Sequence, residues 1–472
     1  MKKKLPLLLF IAASLALCLI PSVGMIFNPT TETVGNEFET ALPSLKNEDG
    51  SINFKYLSQL GDWFGKHFAF RPQAITADAR IQSDVFKTSN IDTVVTGADG
   101  WLYYSSSMDD CLGRNTMTDW EAEGVVNNLR IIQDFSGANG VDFLFTIAPN
   151  KGTLYPEHMP YYCKKVSDVH NRDLVRDALS GSEVNYCDLF GLFESQDETL
   201  YFARDSHWNN KGALLAYNAL TDKLGKAHED FSGASVSRKK DFVGDLSKML
   251  YPAGGEPEYN YYYGAEEFYS YVTDTKSVEE GFIQTSGKDA GGALYMYRDS
   301  FGNALLPFFA GAYSSATFTK GFPMDLRSDF EGAKPDTFVL EIAERNLDWF
   351  LERPPLLLSP EISIFSLGDS RGEELDVLLK PSEYAPAYLS VSGSLSSEYN
   401  GAQSVFVSVK DKSGKTQTRE CYTTSADGKR GYLAYFNADD FDASVKTEVS
   451  VIIKDDSGFV LLGESETVVL EE

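Results

Sequence analysis

The stretch from Ala293 to Phe309 most constrains how this 472-residue chain can fold. It opens with a short apolar and aromatic run, Ala293 to Tyr297, which follows two glycines and predicts a buried β-strand. After a turn, apolar residues recur from Phe301 to Phe308 at the spacing of one helix face. Ser300 therefore lies between the end of a strand and the start of a helix, and Pro307 is expected to bend that helix or shift its start.

A serine at this position allows two interpretations. Its hydroxyl would project from the sheet edge as a nucleophile, and the free backbone N–H groups at the helix start would hold a developing oxyanion. Alternatively, Ser300 only caps the helix, which is the commoner role of such a serine considered alone. The turn by itself therefore does not decide between catalysis and structure.

Strand-like and helix-like segments alternate over most of the chain, which predicts an α/β sheet wound on both faces. The run from 141 to 148 is almost entirely apolar, as a central parallel strand would be. Further predicted elements are a hairpin over 92–104, a helix from a capping box at Thr118 to about Phe135, a helix over 166–180, a strand over 184–189 and a helix over 213–224. From about Lys380, short alternating runs predict a small all-β sandwich.

The length of the chain is too great for one ordinary core, so we expect two or three folded units. The pattern predicts a leader over 1–27, an α/β domain over 28–375 and a β-sandwich domain over 380–472. Residues from about 228 to 290 are polar and rich in tyrosine, and we interpret them as an insertion over the site.

The leader predicts export from the cytoplasm. Lys2, Lys3 and Lys4 precede an uncharged run, Leu5 to Phe27, that is long enough to cross a bilayer. This run is either a secretory signal peptide or an uncleaved signal anchor, and the anchor is favoured because the run is longer than a usual signal core. Residues after about Asn28 are then extracytoplasmic.

Composition narrows the possible partners. The net charge of −27 argues against nucleic acid and anionic membrane surfaces, and an anionic substrate would need a local basic patch. An exported chain permits disulfides, and four cysteines outside the leader leave three pairings open. They are Cys111, Cys163, Cys187 and Cys421. No cysteine or histidine spacing predicts a metal site, and no cofactor is expected.

Acyl transfer through a serine requires a base that takes the hydroxyl proton and a carboxylate that orients the base. Among the 5 histidines, His207 stands out because Asp205 lies two residues before it and Trp208 follows it, just ahead of a predicted helix. Alternatively, this segment is a surface loop with a helix cap, which is the commoner meaning of an isolated Asp-x-His.

Taken together, these features resemble the alginate O-acetylation proteins of the AlgJ and AlgX type and the related DHHW family. The ordered matches extend over much of residues 70–345 and comprise Arg71, Gly97–Tyr103, Pro149–Lys151, Tyr155–Glu157, Asp205–Trp208, Gly244–Leu246, Asp299–Phe301, Glu341, Glu344 and Arg345. The resemblance implies an SGNH-hydrolase-like doubly wound domain with permuted motif order, in which Asp-x-His precedes the serine. It implies that Ser300 is the nucleophile, His207 the base and Asp205 the residue that orients the base.

The resemblance also implies a function. The chain would be an exported O-acetyltransferase that acts on a cell-surface polysaccharide and receives its acetyl group from a membrane-bound O-acyltransferase partner. Two alternatives remain open. A carbohydrate acetyl esterase would use the same triad with water as the acceptor, whereas a non-catalytic glycan-binding or scaffold protein would retain only the fold.

Two positions depart from the family pattern. Arg298 precedes Asp299, where the family often has glycine, and it would either crowd the turn or bind an anionic polymer. Ser206 replaces the first histidine of the DHHW signature, a position that is not the base.

Three further residues are candidate binding groups. Asn150 is a candidate second oxyanion donor beside the amide of Ser300. Lys151 and Arg345 would anchor either the structure or the substrate, and the sequence favours neither role.

Overall fold

The structure is a computed structural model that describes residues 4–27, 40–47, 49–288, 290–442 and 446–467. Lys2 and Lys3, the predicted domain start at residue 28 and the predicted sandwich end at 468–472 lie outside the described residues. The helices, in chain order, are α1 (Leu5–Phe27), α2 (Tyr56–His67), α3 (Arg71–Arg80), α4 (Met108–Cys111), α5 (Asp119–Ala138), α6 (Lys151–Leu154), α7 (Asn171–Ser180), α8 (Phe190–Glu194), α9 (Asn210–Lys223), α10 (Asp245–Leu250), α11 (Gly302–Ala312), α12 (Leu326–Ala333) and α13 (Trp349–Glu352).

The strands, in chain order, are β1 (Val94–Thr96), β2 (Leu102–Tyr104), β3 (Asp142–Ala148), β4 (Tyr186–Cys187), β5 (Ser237–Phe242), β6 (Glu258–Tyr262), β7 (Tyr269–Tyr271), β8 (Phe282–Gly287), β9 (Ala293–Tyr297), β10 (Ser315–Thr319), β11 (Thr337–Ala343), β12 (Val377–Pro381), β13 (Tyr388–Ser394), β14 (Ser404–Lys410), β15 (Thr416–Glu420), β16 (Tyr422–Ala426), β17 (Lys429–Asn437), β18 (Thr447–Asp455) and β19 (Gly458–Thr467).

The central sheet has the strand order β4–β3–β11–β9–β10–β8–β7. Neighbouring strands from β4 to β10 run parallel, and β8 and β7 add antiparallel at the β10 edge. The predicted α/β class is therefore confirmed. Because the parallel strands end at the same edge of the sheet, the turns after β3, β9 and β11 lie side by side there.

Two apolar cores cover the two faces of this sheet, because successive side chains of a strand point to opposite faces. Phe145 and Leu340 belong to a core that includes residues of α5, α7 and α12. Their sequence neighbours Leu144 and Val339 belong to the other core, with residues of α9 and α11. The sheet is thus wound on both faces, as the sequence predicts.

The C-terminal region consists of two antiparallel sheets, β12–β13–β17–β16 and β15–β14–β18–β19, which share an apolar core of their own. The predicted all-β sandwich is confirmed. The β16 side of the first sheet lies against α5, where Asn128 Nδ2 donates to the carbonyl oxygen of Thr423 at 2.8 Å. The sandwich therefore contacts the α/β domain through a defined interface.

Local signals set some elements more accurately than others. The capping box at Thr118 begins α5, as predicted. The helix expected over 166–180 begins only at Asn171, because His170 occupies its N-cap position. The strand expected over 184–189 is reduced to the two residues of β4, which lies at the sheet edge and pairs with β3 alone.

The segment from 228 to 290 contributes to two places. β7 and β8 extend the central sheet, with Thr285 opposite Ala316 of β10. β5 and β6 pair with each other outside this sheet, and α10 lies between them in the chain. The α10 portion of the segment reaches Ser206 and His207 through Asp245.

Two further features bear on export. Among the described helices, α1 is the one that is long and apolar enough to cross a membrane, and it lies near the N-terminus, as either a signal sequence or an anchor would. The four cysteines outside the leader are free thiols, and all but Cys163 are buried.

Candidate active site

The turn after β9 places Ser300 at the edge of the central sheet where the parallel strands end. Asp299 fixes this turn, since its Oδ1 accepts from the amide of Phe301 at 2.8 Å and its Oδ2 from the amide of Ala343 at 2.7 Å. Helix α11 then begins at Gly302 and contains Pro307 in its interior. The N-cap residue of α11 is Phe301, and no capping hydrogen bond from the hydroxyl of Ser300 occurs within the described chain.

The hydroxyl of Ser300 instead meets the imidazole of His207. Ser300 Oγ lies 2.7 Å from His207 Nε2, and His207 Nδ1 lies 2.7 Å from Asp205 Oδ1. The carboxylate of Asp205 also accepts from the amides of His207, at 2.9 Å, and Asp245, at 2.7 Å. The structure therefore brings the three residues together in the order that serine acyl transfer requires.

Asp205 and His207 each stabilise the charged form of the other. Burial raises the pKa of Asp205, but the charge of His207 and the hydrogen bonds to the carboxylate hold that pKa well below its ordinary value. Burial lowers the pKa of His207, but the carboxylate of Asp205 more than offsets this and raises the pKa above its ordinary value of 6.5. Asp205 is thus an ionised group that orients the imidazole and makes it more basic.

Asp245 is a fourth member of the group, which the sequence reasoning assigned no role. Its Oδ2 accepts from Ser206 Oγ at 2.5 Å and lies 3.8 Å from His207 Nδ1. The preceding Gly244 permits this approach, since a Cβ there would lie 2.3 Å from the carbonyl oxygen of Arg204. Ser206, the departure from the family signature, therefore connects α10 to the histidine loop.

Trp208 joins the histidine loop to the serine turn. Its indole Nε1 donates to the carbonyl oxygen of Phe301 at 3.2 Å, and its ring packs on that of Phe301 with centroids 4.9 Å apart. The side chain is fully buried. The Asp-x-His-Trp sequence thus fixes the distance between the imidazole and the serine.

Lys151 stabilises the same loop from behind. Its buried ammonium donates to the carbonyl oxygens of Phe202 at 3.2 Å, Ala203 at 3.0 Å and Asp205 at 2.5 Å. Burial lowers the pKa of Lys151 to about 8. Since these carbonyls occupy its donors, the geometry favours an anchor of the structure over a substrate ligand.

Arg298 holds a different wall of the site. Its NH2 group donates to the carbonyl oxygens of Val278 at 2.9 Å and Glu280 at 3.2 Å, and its NH1 group donates to Asn303 Oδ1. The side chain is buried, and burial lowers its pKa to about 10. Its guanidinium therefore fastens the 278–280 loop to the serine turn rather than facing an anionic polymer.

Asn150 and Arg345 lie together beneath the site. Asn150 Nδ2 donates to Asp110 Oδ2 at 2.8 Å, and Arg345 NH1 donates to Asn150 Oδ1 at 3.5 Å. The guanidinium of Arg345 also lies 5.7 Å from the ring centroid of Phe301. One N–H of the Asn150 side chain, the predicted second oxyanion donor, is thus occupied by Asp110.

Within the described residues, the backbone amide of Ser300 is free to donate, as its predicted role of oxyanion donor requires. It lies at the N-terminal end of α11, where amides have no partner within the helix. The neighbouring amide of Asp299 donates to Glu341 Oε2 at 3.2 Å and that of Phe301 to Asp299, but the amide of Ser300 makes no hydrogen bond within the described chain. A developing negative charge beside Ser300 can accept from it.

A cavity of about 280 Å³ opens beside Ser300 and His207. Aromatic side chains form much of its wall, namely Phe202, Trp208, Phe242, Tyr262, Tyr263 and Phe308. Asp245, Glu266 and Glu279 bring negative charge to the lining and Lys248 brings positive charge. Aromatic walls with a few polar groups suit the flat faces and hydroxyls of sugar rings.

One group of the described residues has the spacing of metal ligands. The ligand atoms of Asp205, His207 and Asp245 all lie within 4.8 Å of one another. The same atoms form the hydrogen bonds that join these residues to one another, to Ser206 and to Ser300.

Comparisons with known proteins give one family match and several similar structures. Residues 94–288 match the family model described as SGNH hydrolase-like domain, acetyltransferase AlgX. Bacillus cereus PatB1 is 18% identical, with 55% of this chain and 99% of that chain covered and a TM-score of 0.44. The O-acetyltransferase domain of Pseudomonas putida AlgJ is 17% identical (54% and 91% covered, TM-score 0.36), and Pseudomonas aeruginosa AlgX is 14% identical (83% and 94% covered, TM-score 0.34).

No curated protein sequence matches the chain. The matched range 94–288 contains Asp205 and His207 and ends before Ser300. The resemblance that the motifs predict is confirmed by this family model. Over residues 94–288 the chain is thus similar to the SGNH hydrolase-like domain of the AlgX acetyltransferases.

Proposed function

We propose that the protein is an extracytoplasmic O-acetyltransferase that moves an acetyl group through Ser300 onto a hydroxyl of a cell-surface polysaccharide. The observation that carries this proposal is the pair of 2.7 Å distances, from Ser300 Oγ to His207 Nε2 and from His207 Nδ1 to Asp205 Oδ1. These distances allow proton transfer from the hydroxyl to the imidazole without rearrangement of the loops.

In the first half-reaction, His207 Nε2 takes the proton of Ser300 as Oγ attacks the carbonyl carbon of an acetyl ester. The amide of Ser300 donates a hydrogen bond to the oxyanion of the tetrahedral intermediate. When the intermediate collapses, the bond to the leaving group breaks and His207 returns the proton to it. Ser300 is left as an acetyl ester, with Asp205 ionised throughout.

In the second half-reaction, a sugar hydroxyl takes the place of the leaving group. His207 takes its proton, the sugar oxygen attacks the acetyl-serine carbonyl, and the collapse of the second intermediate releases Ser300 with its proton restored. The aromatic walls of the cavity position the sugar ring against the acetyl-serine.

The proposal includes a place in the cell. Helix α1 remains uncleaved and anchors the chain, so that the α/β domain works outside the cytoplasm next to the membrane. A membrane-bound O-acyltransferase delivers the acetyl group across the bilayer, as the resemblance to the AlgJ and AlgX type implies. Amino-terminal sequencing of the chain from the membrane fraction tests the anchor, because a cleaved leader would remove Leu5 to Phe27.

One observation supports a second candidate function, that of a carbohydrate acetyl esterase. The side chain of His207 is 19% exposed to solvent. A water molecule can therefore approach the imidazole, and so can a sugar hydroxyl. Water would then replace the sugar hydroxyl in the second half-reaction.

The test compares the full chain in detergent with Ser300→Ala, using an activated acetyl ester and a series of surface glycans. A transferase adds acetyl to a glycan, as measured by the mass of the glycan, and turns over faster when the acceptor is present. An esterase releases acetate at the same rate with and without glycan, and a non-catalytic binder does neither. Ser300→Ala should lower either activity by several orders of magnitude, because members of a triad act as a unit.

A further inference from the structure

Helix α2 has an apolar face that the described protein covers only in part, since Tyr56, Leu60 and Trp63 are half-buried and Leu57 and Phe64 are exposed. Its apolar residues recur at the spacing of one helix face and are Tyr56, Leu57, Leu60, Trp63 and Phe64. None of the residues of α2 is buried, and Leu57 exposes 79% of its surface. Phe54, just before the helix, exposes 94%. Since helices in proteins are stabilised mainly by burying such a face, α2 requires a further apolar environment.

The chemistry of this region suits a membrane interface. We call residues 49–70 the juxtamembrane segment; it contains two lysines, Lys55 and Lys66, and two aspartates, Asp49 and Asp62. The net charge of −27 for the whole chain therefore does not describe this surface, and the argument against an anionic membrane does not apply to it. The indole of Trp63 adds a side chain that favours the headgroup region.

The position of α1 gives the depth of the segment. From Leu5 to Gly24, α1 is about 30 Å long, which equals the hydrocarbon thickness of a typical bilayer. Gly24 lies against the end of the juxtamembrane segment, where a Cβ on Gly24 would be 2.7 Å from Ala69 Cβ and 3.2 Å from Phe70 Cε2. The segment therefore meets α1 at the level where the hydrocarbon ends.

Resting on the proposed anchor, we infer that α2 lies in the headgroup region of the bilayer that α1 crosses, with the exposed Leu57 and Phe64 turned into the lipid. An amphipathic helix of this composition inserts its apolar face at the boundary between headgroups and acyl chains. The occupant of the apolar face is lipid, because α1 as the proposed anchor brings a bilayer to this level. The second contact fixes the orientation of the α/β domain on the membrane, which a single spanning helix does not.

Trp63 provides a direct test in the full chain. The chain has 5 tryptophans; α1 contains none, and Trp101, Trp120 and Trp208 are buried. In nanodiscs of phosphatidylcholine and phosphatidylglycerol with brominated acyl chains, we expect quenching of the fluorescence of Trp63, stronger with bromines near the headgroups than near the bilayer centre. Trp63→Phe should lose this quenched component, and Trp349→Phe should retain it.

A matched pair of variants tests the orientation. Leu57→Glu places a charge on the apolar face, and Ser58→Glu places the same charge on the polar face of the same turn; both positions are exposed, so neither change removes a packing contact. The quenching of Trp63 should decrease in Leu57→Glu and stay at the wild-type level in Ser58→Glu. Absence of a Trp63-dependent component, or equal effects of the two changes, overturns the inference. Shielding of Trp63 only after a membrane protein fraction is added would show that a protein covers this face.

Discussion

The imidazole of His207 lies between two carboxylates that differ in their contacts. Asp205 bonds Nδ1 directly at 2.7 Å, whereas Asp245 Oδ2 lies 3.8 Å from the same nitrogen and is bonded to Ser206. Burial lowers the pKa of His207, and the negative charges of Asp205 and Asp245 raise it. Since only the neutral imidazole can accept the proton of Ser300, this pKa would set the acidic limit of the proposed activity.

The first prediction concerns the pH dependence of acetyl ester turnover. We expect kcat/KM to fall on the acidic side with an apparent pKa above 6.5, the ordinary value for histidine. Asp245→Asn removes a negative charge that raises this pKa, so the fall should move to lower pH. Glu267→Gln removes an exposed charge outside the cavity lining and should leave the profile in place. A wild-type fall centred at or below 6.5 would contradict the assignment of His207 as the base.

The sequence was sufficient to propose Ser300, His207 and Asp205, because residue type and spacing encode their chemistry. It was not sufficient for Lys151 and Arg298, whose partners are backbone carbonyls that converge only after folding. A lysine or arginine that binds carbonyls cannot be distinguished from one that binds a substrate by its neighbours in the chain.

At the scale of elements, the loop from Phe202 to Asp205 depends on Lys151 at the start of α6. Three carbonyl oxygens of this loop accept from one ammonium group. The turn after β3 therefore positions a loop that comes some fifty residues later in the chain. The two segments meet at the edge of the sheet where the parallel strands end.

The second prediction tests this dependence. Lys151→Met keeps much of the side-chain volume but leaves buried carbonyl oxygens without their donor, which should lower the free energy of unfolding by about 1–3 kcal/mol. The turnover of an acetyl ester should also fall, because Asp205 loses its support. Urea unfolding and ester kinetics measure the two effects, with the exposed Lys164→Met as the control. Unchanged kcat in Lys151→Met would show that the loop holds its position without the lysine.

Another buried pair joins α4 to the end of β11. Asp110 and Glu344 are both about 1% exposed. Both carboxyls accept a hydrogen bond from Asn150: Asp110 from the side-chain amide of Asn150 and Glu344 from the backbone amide of Asn150. Burial raises the pKa of Asp110 to about 9, with the charge of Glu344 adding to the shift, and burial raises the pKa of Glu344 to about 7. The pair therefore retains protons at a pH at which exposed carboxyls are ionised.

The third prediction follows from the sign of these shifts. Both folded-state pKa values lie above the ordinary 3.8 and 4.5, so the folded chain binds protons that the unfolded chain releases. This stabilisation is complete below about pH 4 and is lost as the pH rises through the folded-state values. Asp110→Asn cannot ionise and still accepts from Asn150, so its free energy of unfolding should decrease less than that of the wild type between neutral and alkaline pH.

The control for this prediction is the neighbouring Asp109→Asn, because Asp109 is exposed and its loss should not change the pH dependence. Urea unfolding of the three chains at several pH values gives the comparison. Parallel pH profiles for the wild type and Asp110→Asn would show that this carboxyl is not protonated in the fold.

Elements with strong local signals could be predicted from the sequence, and those that depend on partners could not. The capping box of Thr118 and the nearly continuous apolar run of β3 are local, and both elements occur where expected. β4 is short because its neighbour β3 pairs with only two of its residues. The length of this strand is therefore set by pairing in the sheet and not by the apolar run from 184 to 189.

At the scale of the whole molecule, the α/β sheet and the sandwich follow from changes in periodicity, whereas the edge strands do not. β7 and β8 lie in the segment interpreted as an insertion, and β8 joins the sheet only through β10, some thirty residues later. Such distant pairing leaves little trace in local alternation. We keep 28–375 and 380–472 as proposed domain limits, with the interface between α5 and β16 as the main contact to test.

The packing of α5 against β16 rests on a small residue. A Cβ on Gly124 would lie 2.6 Å from Thr423 Cγ2 and 3.1 Å from Leu351 Cδ2, so the helix approaches the sandwich as closely as glycine allows. Gly137, in the last turn of the same helix, is a matched position, because a Cβ there would have nothing within 4 Å. The two glycines share the backbone cost of glycine in a helix and differ in what surrounds them.

The last prediction uses this pair. Gly137→Ala should raise the free energy of unfolding by up to about 1 kcal/mol, since alanine favours the helix more than glycine does. Gly124→Ala gains the same preference but must displace the buried Thr423, a residue held within a sheet, and such overpacking costs about 1–3 kcal/mol. Thermal and urea unfolding should therefore shift in opposite directions for the two variants, while ester turnover at Ser300, which lies on another edge of the sheet, stays unchanged in both. Equal stabilisation by the two alanines would mean that the sandwich does not press on α5 at Gly124.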